Sequence, residues 1–308
     1  MPTNFLINIV GPTAIGKTAL AIELARHFNT EIISADSRQF FKEMKIGTAV
    51  PDEDELAAAR HHFIQHISVE EDYSVGDFER DAIAKIEELF LRKKIVVMVG
   101  GSGLYTKSVT NGLDDFPEVD PQIRENITST LEKEGIEALQ QKLKDLDPDY
   151  YKKADIQNPH RLIRALEICI GTGKPYSSFL NLKKAQRNFH IISIGLTAER
   201  SIIYDRINQR VEKMVENGLL EEAKDLYPKR HLNALNTVGY KELFQHFEGK
   251  ISREEAVAEI QKNTRRFAKR QLTWFRKDNS IQWFDIAEPL EQIIIYAEEE
   301  IKEKVDSP

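Results

Sequence analysis

Residues 11–18 read GPTAIGKT, between the apolar run FLINIV and the helical pattern ALAIELARHF. A strand, a tight loop and a helix are written in that order, with the spacing of a phosphate-binding loop. Glycine admits backbone torsions closed to other residues. The backbone from Gly11 through Pro12, Thr13, Ala14 and Ile15 to Gly16 can therefore turn its N–H groups inward on an anion, at the positive end of the following helix. Lys17 supplies a mobile positive charge for the outer phosphate, and Thr18 a hydroxyl for Mg²⁺. The pattern identifies polyphosphate binding and leaves the reaction open, because kinases, ATPases and other transferases share it.

Outward from this loop, EIISAD at 31–36 and IVVMVGGSGLY at 95–105 read as further buried strands running into functional loops. KTALAIELARHF and VGDFERDAIAKIEELFLRKK place apolar residues at helical spacing between them. Alternation of strand and helix favours a P-loop NTPase-like α/β fold, a parallel sheet with helices on both faces. DDFPEVDPQI, with two prolines, breaks the pattern, and from Arg124 to about Leu182 only helical periodicity is visible. FHIISIGL at 189–196 restores the strand pattern. The reading is a catalytic core of 1–112 and 189–308, a helical insertion of 113–188, and a helical C-terminal region with one possible short strand at IQWFDI.

The 308 residues and 41% hydrophobic content suffice for one large core. No basic segment precedes an apolar stretch at the start. The run IVVMVGG falls far short of the ~20 residues that cross a bilayer, so a cytoplasmic monomer with no membrane partner is expected. The single cysteine, Cys169, excludes an internal disulfide and a cysteine-based zinc site and reads as a small core residue. The eight histidines form no metal-like constellation, and RHHF at 60–63 reads as structural or substrate-lining. A net charge of −7 conceals an asymmetry: residues 230–277 carry eleven basic and five acidic side chains, residues 278–308 two basic and nine acidic. A basic face on an acidic protein can still hold an anionic polymer, which responds to the local field.

Several stretches carry a bland reading beside a functional one. Asp36 closes EIISAD where open α/β sheets present groups to a crevice, yet an Asp-Ser pair also caps a turn. GGSG around Ser102 lets backbone approach a ligand, or simply turns the chain. Arg206, Arg210 and Lys213 recur at helical spacing, as a solvated face would. Asn158 and Pro159 suit a helix start ahead of His160, Arg161 and Arg164. KNTRRFAKRQLTWFRK at 262–277 has seven basic residues and no acidic one. Lys262, Arg266, Lys269, Arg270 and Lys277 can share one helical face beside Ile260, Phe267 and Trp274, a stripe suited to RNA phosphates or to solvent.

Taken together, GPTAIGKT, ISADSRQ, KIGTAVP, GGSGLY, HRLIRALE, TVGYKE and AKRQLTWFRK resemble, in order and approximate spacing, the bacterial tRNA dimethylallyltransferases over about 5–285. The resemblance implies transfer of a dimethylallyl group from dimethylallyl diphosphate to N6 of the adenosine 3′-adjacent to the anticodon. The phosphate loop would then hold a leaving group, with Mg²⁺ on Thr18. It implies Asp36 as general base, Ser102 beside the target nucleotide and Arg210 on the diphosphate. An RNA channel would be lined by Asp36, Ser37, Arg38 and Gln39 and by His160, Arg161, Leu162, Ile163 and Arg164. Asn236, Thr237, Val238, Gly239, Tyr240 and Lys241, with Lys269, Arg270, Gln271, Leu272, Thr273, Trp274, Phe275 and Arg276, would also face a tRNA anticodon stem-loop. Ile15, Phe41, Gln65 and Ser102 depart from the usual family residues. A transferase acting on free adenine nucleotides, a P-loop kinase or ATPase, and a non-catalytic RNA-binding protein are the competing readings.

Overall fold

In the computed structural model, which describes residues 3–180 and 186–306, the chain divides into two units. One comprises Met1–Thr110 with Arg187–Pro308, the other Asn111–Gln186.

The first unit is built on strands β1 (Phe5–Val10), β2 (Ile32–Ser34), β3 (His61–His62), β4 (Ile95–Val99), β5 (His190–Thr197) and β6 (Ile281–Asp285). Their order is β3-β2-β4-β1-β5-β6 and every pairing is parallel, with Phe5 opposite both Ile95 and His190. Because all the strands run one way, the loops after β1, β2 and β4 emerge along one sheet edge, where α/β proteins place ligands. All six residues of β1 are buried, as expected of a parallel strand covered on both faces. Phe5, Ile7 and Ile9 pack with Leu20 and Leu24 of the helix Lys17–His27 and with Ile293. Leu6 packs on the other side with Phe78 and Ile86 of Val75–Phe90 and Ile260 of Arg253–Phe275. Each such aliphatic side chain contributes roughly 1.5–3 kcal/mol by leaving water. Ser74 and Ser252 start their helices with capping boxes closed by Asp77 and Glu255.

The local structure differs from the sequence reading in four places. β2 ends at Ser34, so Asp36 belongs to the loop beyond it. Gly103–Tyr105 open the helix Gly103–Asn111 and do not extend β4. His61 and His62 form the edge strand β3, too short for a periodicity signal, with His62 Nε2 2.8 Å from Glu31. A short helix, Glu53–Ala58, is capped by Asp52.

The second unit holds the helices Pro121–Glu134, Ile136–Leu146, Pro148–Lys153 and Pro159–Thr172. Ile127, Leu139, Leu143, Leu162 and Leu166 form its own core. Residues 181 and 182, the end of the long helical pattern in the sequence, lie outside the described residues. Cys169 is buried and its sulfur accepts the Tyr176 N–H at 3.2 Å, in keeping with a core role.

Candidate active site

The loop after β1 turns into Lys17–His27 through Gly16, whose φ of 106° is closed to most side chains. Ala14 also takes a left-handed torsion, φ 62°, an unusual conformation for alanine. Lys17 Nζ donates to Pro12 O at 2.8 Å. Burial pulls the Lys17 ammonium down to about 8, with Asp36 opposing the fall and Arg210 adding to it. Ile15 is buried in the core beneath the loop.

Two arginines of Arg200–Glu216 reach this loop. Arg206 Nη1 donates to Ile15 O at 3.0 Å and Arg210 Nη1 to Thr13 Oγ1 at 3.3 Å, while Lys213 stays exposed. The helical row is therefore a solvated face only at its C-terminal end. Burial holds the Arg210 guanidinium below its ordinary range, Asp36 opposing.

Asp36 does cap a turn: its Oδ1 accepts the Arg38 N–H at 3.1 Å. Its carboxylate also lines a cavity of about 590 Å³ together with Thr13, Ser102, Arg210, Asn236 and Trp274. Ser102, at the start of Gly103–Asn111, accepts the Ser37 N–H at 3.1 Å and lies 3.1 Å from the Ser37 hydroxyl. Arg38 Nη1 donates to Ala234 O at 2.9 Å, and Gln39 Nε2 to Ala49 O at 2.9 Å. These two side chains thus brace the cavity wall. The volume lies within the range that takes a small substrate, and the walls combine a carboxylate, a cation and apolar surface from Ile207, Val211 and Met214.

Asn236, Thr237, Val238, Gly239 and Lys241 line the same cavity, as do Arg270 and Trp274. Lys269, Thr273 and Arg276 are exposed on the basic helix Arg253–Phe275 and its cap. Phe267 and Trp274 are exposed beside them, and Arg270 stands over the Phe267 ring at 5.7 Å. Other residues read as RNA-facing are internal. Leu162 and Ile163 belong to the core of the second unit, and Tyr240 and Phe275 are buried in the first, whereas Gln271, though largely buried, also lines the cavity. Leu272 packs against the cluster that holds Ile7 and Ile9. A motif on an amphipathic helix contains its inward positions as well as its outward ones, and the inward ones meet core, not ligand. His160, Arg161 and Arg164 belong to the second unit, at the start of Pro159–Thr172; Asn158 caps it, accepting the His160 N–H at 3.1 Å.

One positioning carboxylate escapes the sequence reading. Glu222 accepts the N–H groups of Lys45, Ile46 and Gly47 at 2.9, 2.7 and 2.8 Å, and the Tyr240 hydroxyl at 2.7 Å. It fixes the loop KIGT, whose Gly47 and Thr48 line the cavity. Burial and Glu222 hold the Tyr240 phenol well above its ordinary range, so it remains a donor. Nothing in the surrounding LLEEAK marks this glutamate, since its partners lie 18 and more residues away.

Among the described residues, no group of three or more His, Cys, Asp or Glu side chains could hold a metal ion. Thr18 offers a hard oxygen donor at the loop, half-buried in the first turn of Lys17–His27. A single hydroxyl suits Mg²⁺, which completes its shell with water and substrate phosphate more readily than with a protein cage. No helix among the described residues is long and apolar enough to cross a membrane.

The chain thus combines a parallel α/β core and a phosphate-loop sequence with a cavity that joins a carboxylate, a guanidinium and a basic helix. Residues 39–278 match the family described as IPP transferase. The chain belongs to that family. It is 69% identical to a tRNA dimethylallyltransferase of Christiangramia forsetii over 97% of this chain and 99% of that one. It is 57% identical to the tRNA dimethylallyltransferase of Flavobacterium johnsoniae over 98% of this chain and all of that one. Among solved structures, a tRNA isopentenylpyrophosphate transferase from Bacillus halodurans superposes with a TM-score of 0.73 at 37% identity, covering 98% of both chains. A eukaryotic dimethylallyltransferase acting on tRNA superposes with a TM-score of 0.79 at 28% identity, over 92% of this chain and 74% of that one.

Proposed function

We propose that this chain transfers a dimethylallyl group from dimethylallyl diphosphate to N6 of the adenosine 3′-adjacent to the anticodon in tRNA, releasing diphosphate. The observation that carries the reading is that Asp36, Ser102 and Arg210 line one cavity against the phosphate loop. The relatives named as tRNA dimethylallyltransferases along the whole chain support the same chemistry.

The backbone N–H groups of the loop 11–18, with Lys17 and Arg210, hold the diphosphate. As the allylic C–O bond breaks, negative charge gathers on the departing diphosphate, and these donors stabilise it most in the transition state. Mg²⁺, when bound through Thr18, supplies further positive charge there. On the acceptor side the adenine turns out of its stack to enter the cavity. Asp36 orients the exocyclic amine and takes its proton, while Ser102, already tied to Ser37, sits beside the base. Asn236, Thr237, Lys241, Lys269, Arg270 and Trp274 contact the flanking RNA, and tRNA as substrate implies work in the cytoplasm.

Incubation with Mg²⁺, dimethylallyl diphosphate and an adenosine-containing anticodon stem-loop tests the reading by mass spectrometry. One added prenyl group on the RNA is expected. Prenylation of free adenine nucleotides alone, or hydrolysis of ATP without prenyl transfer, would overturn it in favour of a nucleotide prenyltransferase or a P-loop ATPase.

A further inference from the structure

A second cavity, of about 740 Å³, lies beside the one described above. Lys45, Ile46, Ala49 and Val50 line the second, and Gly47 and Thr48 the first, so the loop that Glu222 holds forms a wall between them. Two side chains, Arg210 and Met214, line both. The loop itself is firmly placed. Glu222 accepts three of its N–H groups, and a Cβ at Gly47 would lie only 2.6 Å from Tyr240 Cζ. Arg210 is placed too, by Thr13 Oγ1 and Thr48 O. Met214, half-buried, stands beside them and packs on the apolar cluster that holds Val211 and Leu219.

Ile207, Val211 and Met214 follow one another at i, i+4 and i+7 on the face of Arg200–Glu216 that also carries Arg210. Leu219 and Ile260, both buried, line the same apolar end. One helix thus offers a guanidinium to a diphosphate and an aliphatic stripe to the carbon chain attached to it. Met214 lies four residues beyond Arg210, about 6 Å along the helix axis. A single isoprene unit matches that span, and a second would have to run past Met214. Close packing around the divide leaves no room for the extra carbons. Shortening this unbranched side chain opens the divide and leaves the bonds of Arg210 and Glu222 in place.

We propose that Met214 sets the length of the prenyl donor, closing the apolar end of the first cavity one isoprene unit beyond the diphosphate and keeping longer chains out of the second. The inference rests on the function proposed above and names the limit of its donor class. Bond changes are the same for a longer donor. The allylic C–O bond breaks, diphosphate leaves with the electron pair, N6 forms the new C–N bond and Asp36 takes the proton.

Dimethylallyl and geranyl diphosphates, each offered with Mg²⁺ and an anticodon stem-loop, give a ratio of kcat/KM values. Isothermal titration of each donor, on a stem-loop carrying purine riboside at the target position, gives a ratio of affinities without turnover, because that base has no amine to react. In the parent kcat/KM should favour the shorter donor by about 100-fold, with affinity favouring it in the same direction. In Met214→Ala the kcat/KM ratio should fall by about tenfold or more through a gain with the geranyl donor, whereas Met214→Leu, similar in volume, should keep the parent's ratio. A purely structural Met214 would lower turnover of both donors together and leave the ratio unmoved. A ratio near unity in the parent, or the parent's ratio retained in Met214→Ala, overturns the proposal. If circular dichroism finds Met214→Ala unfolded, the parent's ratio retained in Met214→Val overturns it instead. Dimethylallyl transfer with a parent ratio near unity sinks the length limit alone. Absence of any transfer by the parent sinks the functional reading, and the ratio of affinities then decides the length limit by the same criteria.

Discussion

Arg210 Nη1 stands 3.3 Å from Thr13 Oγ1, joining a helix to the phosphate loop across 197 residues of chain. Its other terminal nitrogen lies 3.5 Å from Thr48 O. A guanidinium held from two sides is already in place when charge develops on the diphosphate. Arg210→Gln should therefore lower the single-turnover rate by about 100- to 1000-fold, the usual loss for one preorganised donor. Stem-loop affinity should be little changed. A rate within a few-fold of the parent would show that Arg210 only shapes the loop.

Asp36→Asn separates capping from chemistry. Asparagine can still accept the Arg38 N–H through its side-chain oxygen, so the turn should survive. Proton acceptance is lost, and single-turnover transfer should fall by about 100- to 10,000-fold with unchanged thermal midpoint and RNA binding. Loss of RNA binding in its place would make Asp36 a wall of the channel.

The depressed Lys17 predicts a pH dependence. Between about 8 and its ordinary 10.5 the unfolded chain holds a proton that the folded chain has released. Stability contributed by this group therefore rises with pH across that window and is constant below it. Donor binding has the opposite slope. A diphosphate favours the ammonium, so the affinity for dimethylallyl diphosphate should decline as pH rises above about 8, with proton uptake visible as a buffer-dependent binding enthalpy. Lys17→Met should remove the extra slope; the same slope in that variant would assign it to another group.

The exposed stripe predicts a salt effect. Lys269→Ala with Arg270→Ala should weaken tRNA binding across sequences and reduce the slope of log affinity against log salt by about two. Filter binding at several salt concentrations checks this, and an unchanged slope would return the stripe to a solvated face.

Legibility followed the range of each interaction. GPTAIGKT and its flanks were readable because strand, loop and helix are contiguous and the N–H groups that form the cradle belong to the motif itself. Asp36 carried two readings because both are local, and the structure gives it both a turn and a place in the cavity. The row Arg206, Arg210 and Lys213 was visible as a face, but its spacing could not say that the first two meet the phosphate loop and the third meets water. AKRQLTWFRK was legible as basic, whereas the inward positions Leu272 and Phe275 were indistinguishable from contact residues until the packing partner was known.

By itself the sequence determined the α/β alternation, the phosphate loop and the basic helix, since these follow from periodicity and spacing along contiguous chain. Tertiary structure alone decided the strand order β3-β2-β4-β1-β5-β6, that Glu222 holds KIG, and that Gln271 bridges Thr13 and Gly101. The physical reason is that a hydrogen bond across some 170 to 260 residues leaves no local pattern. It exists only once hydrophobic burial has brought its two ends together.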